Sequence, residues 1–170
     1  MAPTTANPLV AALATGQPAA FAALYDRLGR SMLRVAAVML RSATEAEDVV
    51  QDVFVEIVRH RDRISLVADL DAYVFAMLRH AVGRRIQHRR REQHHLRLVI
   101  AGGEVNPDLS LSDDVETALG SLPTEQREVI ALKIDAGLTF AQMGEILSVS
   151  PNTAASRYRY AIDKLRKCLE

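Results

Sequence analysis

A chain of 170 residues with 49% hydrophobic side chains can build one ordinary domain or two small ones, which excludes wholesale disorder. Its 21 basic and 21 acidic residues cancel overall but are segregated along the chain, so zero net charge does not exclude a nucleic-acid partner. A lone cysteine, Cys168, excludes an intrachain disulfide; a leader lacking Lys and Arg over its first 20 residues, and no apolar run near the ~20 needed to span a bilayer, point to a cytoplasmic protein without membrane insertion.

Residues 1–17, rich in Ala, Pro and Thr, read as a loose N-terminal arm. From Pro18 the spacing of Phe21, Leu24, Leu28, Met32, Val35 and Met39 predicts a helix with one apolar stripe. Thr44 with Glu47 has the form of a capping box and announces a second helix, whose stripe is Val50, Val53, Phe54 and Ile57. Asp48, Gln51 and Asp52 then share another face of it. A third helix starts near Asp69 or Leu70, with Tyr73, Met77, Leu78 and Ala81 on its apolar side. It runs into a dense arginine cluster: Arg79, Arg84, Arg85, Arg89, Arg90, Arg91 and Arg97. Such a helix is anchored at one end and offers charge at the other.

Residues 93–112 carry Gly102-Gly103, Asn106-Pro107 and Ser110-Leu111-Ser112 and read as a linker. Beyond it, Asp113 offers a cap, Leu122-Pro123 punctuates a further helix start, and Gly137 suits that helix's C-terminal end. Thr139 with Gln142 forms a second capping box. It opens a short helix that reaches Leu147, and Ser148-Val149-Ser150 turns the chain into a last helix with Pro151 at its first position. A short capped helix, a three-residue turn and a second helix make a helix-turn-helix. Gly144, inside the first of these helices, predicts a close helix approach. In that geometry Asn152 to Arg157 enter the major groove, where Asn and Arg read base edges, and Arg157, Arg159, Lys164, Arg166 and Lys167 reach phosphate. No cofactor or metal is expected: His60, His80, His88, His94 and His95 form no recognised ligand spacing, and three of them lie among arginines.

Residues 122–169 resemble the fourth region of sigma-70-type sigma factors. Ala46-Glu47-Asp48, with Gln51, Asp52 and Phe54 after it, resembles the second region, and residues 69–92 resemble its continuation. With only these two regions and a short linker, the chain is similar to the extracytoplasmic-function group. The resemblance implies an all-α fold of two small helical domains: region 2 over residues 18–92 and region 4 over 113–170, joined by the flexible 93–112. It implies a non-enzymatic role, binding core RNA polymerase and directing it to promoter DNA. Asp48, Gln51 and Asp52 would dock on the polymerase. Arg79, His80, Arg84, Arg85, Arg89 and Arg90 would hold the melted minus-ten strand. Asn152, Thr153, Ala155, Ser156, Arg157, Arg159 and Tyr160 would read the duplex at minus thirty-five. An anti-sigma factor is a further candidate partner.

The chain departs from the family pattern at His80, where Asn is usual, and at Arg84, where Asp is usual. Ala155 replaces a basic residue, and Tyr160 replaces an Arg, with Arg159 one place earlier. Tyr73 stands where the family has Trp and is expected in the core. Two alternatives remain open on the sequence: a stand-alone helix-turn-helix regulator, and a degenerate sigma-like protein that binds polymerase or an anti-sigma factor without opening DNA.

Overall fold

Apolar residues three and four apart gather into one stripe per helix, and the helices pack where those stripes meet. The computed structural model describes residues 7–97 and 113–169, and all regular structure among them is α-helical. In chain order these helices are α1 (Pro8–Ala14), α2 (Pro18–Leu40), α3 (Ala43–Arg59), α4 (Arg61–Ile64) and α5 (Leu70–Arg97). After residues 98–112 come α6 (Asp113–Gly120), α7 (Thr124–Ile134), α8 (Phe140–Leu147) and α9 (Pro151–Leu169).

The long α2 is the centre of the packing, in contact with α1, α3, α5 and α7. Leu24, Leu28, Met32 and Val35 of its expected stripe are buried, while Phe21 and Met39 sit at the edge. Arg41 ends it in the left-handed conformation, φ 56°. The next residue, Ser42, caps α3 by accepting from the amide of Glu45 at 3.2 Å. The cap therefore lies two residues before the Thr44–Glu47 pair that the sequence suggested. The chain reverses immediately after Arg41, which leaves Thr44 already inside the first turn. Ala46, Val49, Val50, Val53 and Ile57 bury one face of α3.

The expected loose arm is partly wrong. Asn7 caps α1, accepting from the Leu9 amide at 3.1 Å, and Leu13 is fully buried against the core. Burying a Leu side chain stabilises by about 1.5–3 kcal/mol, which fixes this short helix. Helix α5 starts at Leu70, within the expected bounds, and Asp69 caps it, its Oδ1 accepting from the Ala72 amide at 3.0 Å. The helix buries Leu70, Val74, Phe75, Leu78 and Val82, and Tyr73 is half-buried at the core edge. It continues through residues 93–97, which the sequence reading gave to the linker. The rest of that linker, including Leu98-Val99-Ile100, lies outside the described residues.

The helices after the linker do not form a separate core. Val129, Leu132, Leu138 and Met143 belong to the same continuous apolar cluster as α2, α3 and α5. A second, small cluster of Leu122, Ile130 and Ala161 ties α7 to α9. Arg127 closes the end of α6 by donating to the carbonyls of Leu119, Gly120 and Leu122 at 3.1, 3.3 and 2.9 Å. Burial, with Arg41 nearby, lowers the pKa of Arg127 from its ordinary value.

Candidate functional site

Three helices carry the residues singled out in the sequence, and they present them differently. On the last pair, both halves of the Thr139–Gln142 capping box are formed: the Gln142 amide donates to Thr139 Oγ1 at 3.2 Å, and the Thr139 amide donates to Gln142 Oε1 at 2.8 Å. Ser148 turns the chain with φ 56°. A Cβ at Gly144 would lie 2.8 Å from the carbonyl oxygen of Val149 and 3.2 Å from the nitrogen of Pro151. Only a glycine lets the turn pass this close, as its place in the sequence implied. Ser150 caps α9 by accepting from the Thr153 amide at 3.0 Å, and its hydroxyl lies 2.8 Å from that of Thr153.

Ala154 and Ala161 are fully buried and set which side of α9 faces inward. The opposite side carries Asn152, Ser156, Arg159 and Asp163 along one ridge, with Tyr160 beside it. Asn152, Arg159 and Tyr160 are exposed, whereas Ala155 and Arg157 are half-buried on the flanks. Arg159 reaches back to the Ser156 hydroxyl at 3.2 Å. Asp163 was missed by the sequence reading, because an acid on a reading ridge has no motif. Lys164, expected to face phosphate, donates to the Ser121 carbonyl at 2.8 Å instead.

The arginines of α5 fall on two sides. His80, Arg84, Gln87 and Arg91 share one exposed face. Gln87 and Arg91 were not among the expected contacts, and helical spacing from Arg84 would have found them. Arg90 is exposed beside this face. Arg85 and Arg89 point the other way, into α3. Arg85 bonds Glu45 at 3.1 Å and Asp48 at 3.4 Å; Arg89 bonds Glu45 at 3.0 Å and the Leu40 carbonyl at 3.2 Å. Arg79 bonds Glu128 of α7 at 2.7 Å. Half of the six expected strand contacts are thus engaged within the chain, because their acidic partners come from elements 37 to 49 residues away.

On α3, Asp48, Gln51 and Asp52 are all exposed and lie together, as their spacing predicts. Asp48 is shared with Arg85. Two more carboxylates mark the contact between the first five helices and the last four. Asp69 is held below its ordinary pKa by the Ala72 amide and by Gln142, whose amide donates to it at 2.7 Å. Asp135 is raised by burial, which outweighs the opposing pull of Arg34 at 3.9 Å.

The family description "Sigma-70 region 2" matches residues 24–92, and "Sigma-70, region 4" matches residues 118–167. The ECF RNA polymerase sigma factor SigK of Mycobacterium ulcerans is 28% identical over 180 residues, covering 96% of this chain and 93% of the relative. SigL of Mycobacterium tuberculosis (strain H37Rv), also an ECF RNA polymerase sigma factor, is 28% identical, covering 95% of each. Among solved structures, CnrH in complex with the cytosolic domain of CnrY matches with a TM-score of 0.73 and 26% identity over 95% of each chain. The sigma factor RpoE in complex with the anti-sigma factor NepR, from Bartonella quintana, matches with a TM-score of 0.71 and 26% identity, covering 86% of this chain and 96% of that one.

Proposed function

The chain belongs to the sigma-70 family of RNA polymerase sigma factors, and from that premise we propose how its charged helices divide the work of starting transcription. It is a sigma factor of the extracytoplasmic-function kind and directs transcription initiation. The observation that carries this is the presence of both family regions, in order, on one chain of matching length.

The exposed Asp48, Gln51 and Asp52 of α3 dock on a basic surface of core RNA polymerase. Acids and an amide on one helix face suit such a partner and give it register and on-rate. The face of His80, Arg84, Gln87 and Arg91 on α5, with Arg90 beside it, holds the melted minus-ten strand through phosphate and base contacts. Arg79, Arg85 and Arg89 act there as well only when their internal carboxylate partners let go. The ridge of Asn152, Ser156 and Arg159 on α9, with Thr153, Tyr160, Ala155 and Arg157 around it, reads the minus-thirty-five duplex in the major groove. The helix matches in shape, while its letters at Ala155 and Tyr160 imply a distinct preferred sequence. The chain acts by positioning and supplies no reaction step, and its place of work is the cytoplasm. No helix among the described residues is long and apolar enough to cross a membrane. An anti-sigma factor is the further partner we assign to it.

The test is promoter-dependent run-off transcription from genomic fragments with core polymerase. Discrete transcripts that require the chain are expected. A chain that binds core polymerase but yields none would leave only the sigma-like reading without strand opening. Asp52→Arg is expected to weaken core binding at least about tenfold with unchanged circular dichroism. Equal capture of core by the variant would remove α3 from the docking surface.

A further inference from the structure

Gly144 and Gly83 both lie inside helices, and packing explains only the first. Gly144 admits the Val149 carbonyl. Gly83 stands in the middle of α5, and a Cβ built on it would meet no atom within 4 Å. Its φ is not in the left-handed region either. Glycine in a helix interior costs stability against alanine, because it loses more backbone freedom on folding and adds no side-chain contact. Neither a turn nor a close neighbour calls for that cost at Gly83.

What Gly83 does is widen a cleft. It lines a cavity of about 340 Å³ bounded by α2, α5 and α7. Pockets that hold small organic molecules run from about 300 to 1,000 Å³, so this one suits a small ligand. The inner wall is apolar: Met39 and Ile86 are half-buried there, beside Phe75, Val82 and Leu132. The mouth is polar and positive. Arg79 and Glu128 neutralise one another across it at 2.7 Å. Arg84 remains, exposed next to Gly83 and without an ion pair among the described residues. His80 stands about one turn before it and Gln87 about one turn after, both exposed on the same rim.

We propose that this cleft binds a small amphipathic carboxylate, with its apolar body beside Gly83 against Met39 and Ile86 and its carboxylate on Arg84 at the mouth. A guanidinium takes a carboxylate through two parallel hydrogen bonds, and His80 and Gln87 bring further donors to either side. A cation would meet Arg79 and Arg84, and a wholly apolar molecule would leave the charged mouth unmatched. For DNA there is a consequence, which rests on the strand-binding reading of α5: the occupant holds Arg84 and competes with the melted strand for it.

Isothermal titration calorimetry of the full chain with two probes tests the site: octanoate for a linear body and 2-naphthoate for a planar one. At least one is expected to bind at a 1:1 ratio, and which one does so identifies the body the cleft accepts. Gly83→Leu, which fills the open space, is expected to weaken that probe at least about tenfold. Arg84→Ala is expected to weaken it at least about fivefold. This change at an exposed residue tests the site even where Gly83→Leu does not fold. Arg63→Ala, an exposed arginine of α4 outside the cleft, is expected to bind as wild type does. Gly83→Ala is expected to melt no lower than wild type, as it must if no neighbour requires the glycine. No binding of either probe, or wild-type binding by folded Gly83→Leu or by Arg84→Ala, overturns the site. A lower melting temperature for Gly83→Ala overturns the reading of Gly83. At saturation the bound probe is expected to weaken capture of a single-stranded oligonucleotide about threefold, the share of one exposed charged contact. Undiminished capture overturns the competition. A chain that captures no single strand at all fails the strand-binding reading instead, and the calorimetry still decides the site.

Discussion

Helices α5 and α9 are built on one plan and put to different uses. Each begins packed on the core and ends in a basic stretch. On α9 the buried Ala154 and Ala161 turn Asn152 and Arg159 outward, with the half-buried Ser156 between them. On α5 the arginines divide: Arg85 and Arg89 hold Glu45 of α3, Arg79 holds Glu128 of α7, and Arg84, Arg90 and Arg91 face solvent. Counting arginines therefore overstates what α5 offers to nucleic acid. Side by side, the two helices separate charge that recognises a partner from charge that fastens the fold.

The largest expected effect lies on α9. Gly144→Val would force branched carbons against the Val149 carbonyl, a backbone atom that cannot swing aside. Overpacking of this kind costs about 3 kcal/mol and unseats α9 from α8. Duplex binding should be lost in a mobility-shift assay while capture of core polymerase persists, since the proposed docking residues Asp48, Gln51 and Asp52 lie on α3. Parallel loss of both activities would mean that the helices stand or fall together.

A middle-sized effect tests the division on α5 directly. Glu45→Ala leaves Arg85 and Arg89, each about 40% exposed along the side chain, without their shared carboxylate. Partial exposure softens the penalty, and a loss of about 1 kcal/mol is expected in urea unfolding. Arg84→Ala and Arg91→Ala should leave stability within about 0.5 kcal/mol of wild type. Each should lower the salt dependence of single-strand binding by about 0.7 in slope. If Arg85→Ala changes that slope as much as Arg84→Ala and leaves stability untouched, the division is wrong.

These differences mark how far the sequence reaches. Local signals were legible because their physics is local: the α2 stripe, the Thr139–Gln142 box, and Gly144, whose only role is to admit a neighbouring carbonyl. The Asp48–Gln51–Asp52 face was legible because helical spacing alone sets it. The cap of α3 was misplaced at Thr44, since both Ser42 and Thr44 have an acid three residues on, and only the turn at Arg41 decides between them. Helix α1 was hidden in an Ala- and Pro-rich stretch whose order comes from burying Leu13 against distant helices. The engagement of Arg79, Arg85 and Arg89 was illegible for the same reason, as their partners are remote in sequence and near only after folding.

The smallest expected effect asks whether the same division runs through α9. Lys164 looks like a phosphate contact in the sequence, yet its ammonium donates to the Ser121 carbonyl at the end of α6. It lies off the Asn152–Arg159 ridge, toward the flank. Arg159→Ala should reduce the salt slope of duplex binding by about 0.9, the share of one phosphate. Lys164→Ala should leave that slope unchanged and lower stability by about 0.5 kcal/mol, the worth of one exposed hydrogen bond. Matching slopes for the two variants would place Lys164 with the recognition charges. A difference between them would mean that α9, like α5, spends part of its charge on holding its own neighbours in place.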